Sequence, residues 1–310
     1  MMRQWIGSHL SPSPAAQVWI GGQSNSVGTN SDKPGSYPSW PANPLVQMFC
    51  WSGKGCAAGS FAQAAVPVYG ESNVGFSLTF GNLLQQTLPA GHGVVLINTG
   101  VGGTGFVEGN WLPPNGRLAV QSVTAVKALA AALPGALGGS YNLATMLWHQ
   151  GEDDAGDNRM NFHASYCTYL VNDLSALIDF FRAEFPGGAL STPFVDGGLL
   201  PYWQDNVKNG TGGVPAAISA LNTSRACTGT ADARVFPDFN PDGTPAGDPN
   251  YRSGVSNDVI HFTATQQHFF GFEFWRAYLR ATALTTPVPS DATKACPSSA
   301  VQPPVAKCGL

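Results

Sequence analysis

The chain has 310 residues, 43% of them hydrophobic, a formal net charge of −4, and only 11% charged residues. A soluble chain ordinarily carries about a quarter. The length allows a sizeable core, while the balance lacks the basic stripe of a nucleic-acid binder and the like-charge run of an interaction tail. Its polar surface must be built from Ser, Thr, Asn, Gln, Gly and Pro, a style commoner in secreted proteins.

In chain order, the N-terminal MMRQWIGSHLSPSPAAQ has too short an apolar region for a signal peptide. Short buried strands are predicted at Gln17–Ile20, Val94–Asn98, Ala144–Trp148 and Pro193–Val195. Helical spacing marks Gly75–Leu88, Leu118–Leu133, Tyr166–Phe185 and Thr263–Leu284. Ser31–Tyr69 and Phe236–Ser256 are rich in turn residues and read as long surface insertions facing substrate. The alternation predicts an α/β fold, a three-layer α/β/α sandwich around a mostly parallel sheet. The expected organisation is one domain over 1–310, with its core at about 17–285 and a tail at 286–310. No run approaches the roughly 20 apolar residues of a membrane span.

Six cysteines occur, at 50, 56, 167, 227, 296 and 308, with no CxxC and no zinc spacing. Cys50 with Cys56 and Cys296 with Cys308 are close enough to bridge short loops, the second pair pinning the tail. Free buried thiols are the alternative, and connectivity stays open at this point.

Ligands of parallel sheets bind beyond the carboxyl ends of the strands. Those segments read GGQSNSVG, TGVGGTGF and HQGEDDAG, with NDVIHFT just before the last helix. Together they hold the parts for acyl transfer. Ser24 is a weak nucleophile needing a base. His261 supplies one, and Asp258, three residues earlier, fixes its tautomer. A tetrahedral intermediate needs preorganised donors. The candidates are the backbone N–H of Ser24, expected to open a helix, that of Gly102 with Gly103 as neighbour, and the side-chain amide of Gln150. Asn25 and Thr104 are read as braces of these loops.

Other readings are weaker. GVGGTG at 100–105 has the form of a dinucleotide fingerprint, but no Asp or Glu falls between Glu108 and Glu152. The acids Glu152, Asp153, Asp154 and Asp157 could bind calcium, yet fit a solvated helix start better. His268 reads as helix cladding rather than a ligand. Ser26 replaces the second glycine of GxSxG, against an α/β-hydrolase elbow. Trp111 and Trp203 stack on a sugar or serve as local core.

GQSN, GVGGT, WHQGE and DxxHF in this order resemble the SGNH-type esterases, and more closely their sialate O-acetylesterase and acetylxylan esterase branch. ESNVGFSLTF at 71–80 resembles a further segment of that branch. These blocks span roughly 17–280. The resemblance implies a serine esterase removing acetyl groups from an acetylated oligo- or polysaccharide, with no metal or organic cofactor; composition and cysteines set the expectation of a place outside the cytoplasm and of no nucleic-acid partner. It assigns nucleophile, base and acid to Ser24, His261 and Asp258, with Glu152 as a rival or helper acid. The oxyanion donors become Ser24, Gly102 and Gln150, the last standing where the wider superfamily has asparagine. A general lipase or short-chain esterase and an inactive carbohydrate-binding relative are the alternatives.

Overall fold

The computed structural model describes residues 15–30, 41–52, 56–137, 141–156, 168–200, 203, 213–233 and 260–282. Seven strands form one sheet: β1 (Ala15–Gly22), β2 (Val46–Cys50), β3 (Ser60–Gln63), β4 (Val94–Asn98), β5 (Tyr141–His149), β6 (Phe194–Gly197) and β7 (Thr228–Ala231). Their order across the sheet is β3-β2-β4-β1-β5-β6-β7. Every neighbouring pair is parallel except β2 with β3.

The central strand is buried along its whole length, as a parallel strand covered on both faces must be. Its side chains alternate between the faces. Trp19 packs with Val95, Ile97 and Trp148 on one side. Val18 and Ile20 pack with Val94, Leu96 and Leu147 on the other. Helices α2 (Arg117–Leu137), α4 (Ser175–Glu184) and α5 (Val214–Ser224) cover the first face. Helices α1 (Ser77–Thr87) and α6 (Ala264–Thr282) cover the second, with Phe76 and Phe274 stacked at 4.1 Å. The short α3 (Glu152–Gly156) follows β5, and a π-helical stretch, Thr168–Leu174, leads into α4. The expected three-layer α/β/α sandwich is therefore what the residues form.

Two expectations change. The segment 31–69, read as a surface insertion, contributes β2 and β3 to the sheet edge. Also, 117–135 is apolar and long enough to cross a membrane by length and composition. It instead lays Leu118, Val126, Leu129 and Leu133 into the core. Cys50 and Cys56 are joined by a disulfide, and Cys227 is in a disulfide as well. The Cys296/Cys308 expectation and the 236–256 segment lie outside the described residues.

Candidate active site

The chain leaves β1 at Gly22 with φ 121°, and a Cβ there would stand 2.0 Å from the carbonyl oxygen of His149. Only glycine lets the exits of β1 and β5 come so close. The Gln23 N–H then donates to the same carbonyl at 2.9 Å. The Gln23 carbonyl accepts from the N–H groups of Ser26 and Val27 and from the Ser26 hydroxyl. Residues 24–28 thus form tight turns, not the helix start expected at Ser24. Ser24 sits at their head, 8% exposed. Its hydroxyl makes no hydrogen bond among the described residues.

The loop after β4 runs beside this turn, with the N–H of Val101 donating to the Gly22 carbonyl at 3.0 Å. A Cβ on Gly102 would lie 3.7 Å from both Cα and Cβ of Ser24, so these two backbones are in contact. Among the described residues, no acceptor takes the backbone N–H of Ser24 or Gly102. Asn98 ties the turn to the loop: its Nδ2 donates to the Ser26 carbonyl, and its Oδ1 accepts the Gly100 N–H. Thr104 braces the loop from within, donating to the Val101 carbonyl and accepting from the Trp111 indole. Trp111 is fully buried against Trp148, which makes it core and not a sugar platform. Trp203 is half-buried between the two core faces.

Asn25 brings in the third piece of chain. Its Oδ1 accepts the Phe262 N–H at 3.1 Å, and its Nδ2 donates to the Ile260 carbonyl at 3.0 Å. One side chain therefore clamps the backbone on both sides of His261. Its own carbonyl accepts from Gln267 of α6. The residue next to Ser24 thus fixes the two neighbours of His261, across a separation of more than two hundred positions. His261 is partly exposed, and no hydrogen bond joins it to Ser24. Asp258 lies outside the described residues.

The acidic cluster departs from the solvated helix start. Glu152 and Asp154 are 2% and 0% exposed. They are inside because they satisfy polar groups of the neighbouring loops. Glu152 Oε1 accepts the second Nδ2 hydrogen of Asn25 at 2.6 Å and stands 3.4 Å from Nδ1 of buried His149. Asp154 accepts the N–H groups of Phe106 and Val107. Gln150, also buried, donates from Nε2 to Asp154 at 2.6 Å and to Gln23 at 3.3 Å, while Tyr169 of the π-helical stretch meets its Oε1. Both hydrogens of this amide are engaged.

Asp196, at the end of β6, is wholly buried. Its carboxyl is pushed well above the usual range by burial and then by the nearby charge of Glu152. Behind the Ser24 turn, Glu71 collects the N–H groups of Val68 and Gly75 and the Ser77 hydroxyl, and burial raises its carboxyl to about 7. That hub underlies the 71–80 segment, whose Ser72 N–H donates to the Val27 carbonyl. His268 faces Thr79 at 3.0 Å. Among the described residues, no group of His, Cys, Asp or Glu is arranged to hold a metal ion.

Sequence reading gave His149, Asp196 and Glu71 no role, and gave Asp154 only a place in the acidic cluster. The signal for Asp154 lay in its position two residues after Glu152, just beyond a strand.

Residues 15–214 match the model of a family described as carbohydrate esterase, sialic acid-specific acetylesterase. The chain belongs to this carbohydrate esterase family. The matched residues carry Ser24, Gly102, Gln150 and Glu152, and end before His261. No curated protein matches the esterase. Among solved structures it is similar to a protein of Arabidopsis thaliana, at 19% identity and a TM-score of 0.60, covering 86% of this chain and 99% of that one. It is also similar to NanS, at 15% identity and a TM-score of 0.57, covering 87% and 98%. At these identities the likeness bears on the fold, which is that of the SGNH-type esterases named by the sequence motifs.

Proposed function

We propose that the esterase removes O-acetyl groups from an acetylated oligo- or polysaccharide by a Ser24–His261–Asp258 acyl-enzyme mechanism. The Asn25 clamp carries this reading, because it ties the segment bearing His261 to the residue beside Ser24. Ser24 Oγ attacks the acetyl carbonyl carbon while His261 takes its proton. The oxygen that becomes negative lies against the backbone N–H groups of Ser24 and Gly102. Collapse expels the sugar hydroxyl, which takes the proton back from His261. Water, deprotonated by His261, then cleaves the acetyl-enzyme and releases acetate.

Asp258 is assigned to hold the imidazole. Glu152 is assigned the helper's part, acting through Asn25, since its carboxylate is spent on that amide and on His149. Gln150 buttresses the two loops and leaves the oxyanion to the two backbone donors. The Cys50–Cys56 disulfide supports an oxidising, extracytoplasmic setting.

The test is acetate release from a panel of acetylated polysaccharides, alongside a rate series from acetyl to octanoyl p-nitrophenyl esters. A steep fall beyond acetyl is expected. A rise with chain length would make the protein a general esterase for apolar acyl chains. Absence of turnover on every ester would leave a carbohydrate-binding relative.

A further inference from the structure

We propose that Asp154 is a positioning residue for the oxyanion site: its buried carboxylate sets the loop that carries Gly102. The carboxylate is fully enclosed and, among the described residues, takes three hydrogen bonds from two loops. Its Oδ2 accepts the Phe106 N–H at 3.0 Å and the Gln150 amide at 2.6 Å, and its Oδ1 accepts the Val107 N–H at 2.9 Å. Consecutive N–H groups aimed at one carboxylate fix the plane of that backbone, and such bonds are the strong, charge-assisted kind. Gly105 belongs to the same device. A Cβ there would come within 2.9–3.0 Å of the Asp154 and Asp153 carboxylate oxygens, so the last glycine of GVGGTG makes room for the anion.

The loop is held at both ends. On the strand side, the Val101 N–H reaches the Gly22 carbonyl. On the far side, Asp154 grips Phe106 and Val107. Gly102 lies between these anchors and against Ser24, so the direction of its N–H depends on both. A donor misdirected by a fraction of an ångström loses much of its value to an oxyanion, while the ground-state ester, which carries little charge there, feels the change weakly. Asp154 therefore governs kcat more than KM.

The inference rests on the reading of Gly102 as an oxyanion donor. Asp154→Asn keeps the volume but sets an amide N–H₂ against at least one of the three donors. On p-nitrophenyl acetate, kcat should fall about 100-fold with KM within about twofold, the scale of losing one oxyanion donor. Affinity for a small alkylboronic acid, which forms a tetrahedral adduct on the serine, should fall with kcat/KM. Circular dichroism and thermal melting report whether the variant is folded. If Asp154→Asn does not fold, Asp154→Ser, which keeps one acceptor and leaves room for water, takes its place. A folded variant with kcat within threefold of the native value overturns the proposal, as does a loss that appears equally in KM. Failure of both variants to fold makes the carboxylate an element of stability only, and overturns it too. A native protein that hydrolyses no acetyl ester fails the functional reading instead, so the two failures are distinct.

Discussion

At the scale of single residues, the contacts of Asn25 and Glu152 bear on the two acids that the motifs alone leave in competition. Glu152 faces Asn25 and His149, and no hydrogen bond joins it to His261. Glu152→Gln keeps an oxygen to accept the Asn25 amide, so its kcat should stay within about tenfold of native. Asp258→Asn should cost roughly 10⁴-fold, the loss expected when an imidazole is held in the wrong tautomer. A severe Glu152→Gln with a mild Asp258→Asn would reverse the assignment. Asn25→Ala releases both neighbours of His261 at once. It should lower kcat at least about 100-fold, since a small misplacement of a catalytic group costs that much. Kinetics on p-nitrophenyl acetate, with Ser24→Ala as the inactive control, measures all three. Ser24 and His261 could be proposed from the sequence because nucleophile and base are side-chain identities at motif positions. Asn25 was legible only as a brace, since its work is to join two backbone segments that are far apart in the chain. Asp154 and Asp196 were hidden because a buried carboxylate and a solvated one are spelled with the same letter.

At the scale of elements, the apolar runs at 94–98 and 144–148 announce themselves as strands because both faces are covered. β2 and β3 did not, because they lie at the sheet edge among Pro, Ser and Gly, with polar Gln47, Gln63 and Ser60 in the register. β7, Thr228–Ala231, holds almost no large apolar side chain and takes its place by pairing with β6. Helices α1, α2, α4 and α6 followed from spacing, with α6 found within two residues at each end, whereas α5 (Val214–Ser224) was not foreseen. What spacing could not show is how closely elements approach. The junction of β1 and β5 is the sharpest case. Gly22→Ala drives a methyl group into the His149 carbonyl at a φ of 121°. It should destabilise the fold by about 3 kcal/mol or more, as overpacking adds to backbone strain. The midpoint of urea denaturation reads this directly, and a shift below about 1 kcal/mol would show that the two strand ends can separate without cost.

At the scale of the whole molecule, two unused acids, one wholly and one partly buried, make stability depend on pH. Glu71 is partly buried between the Ser24 turn and α1, and its carboxyl is raised to about 7 from 4.5, first by burial, against the lowering effect of Ser77 and the N–H groups of Val68 and Gly75. The folded state therefore holds a proton that the unfolded chain has released between those two values. Stability is greatest below about 4.5 on account of this group, falls as pH rises through the window, and stays lower above about 7. The size of the effect is on the order of 3 kcal/mol, with each tenfold change in proton affinity worth about 1.4. Asp196 acts in the same direction, its carboxyl being raised by burial and by Glu152. Glu71→Gln fits the same three partners: its carbonyl oxygen accepts the Val68 and Gly75 N–H groups, and its amide donates to the Ser77 hydroxyl. The variant should match the native protein near pH 4.5 and exceed it near pH 7. The difference between the two melting curves, taken across the window, isolates Glu71 from every other titrating group. The same curves would locate the proton: a native-minus-variant difference independent of pH means that Glu71 titrates alike in the folded and unfolded chain, and that its hydrogen bonds offset burial at this hub.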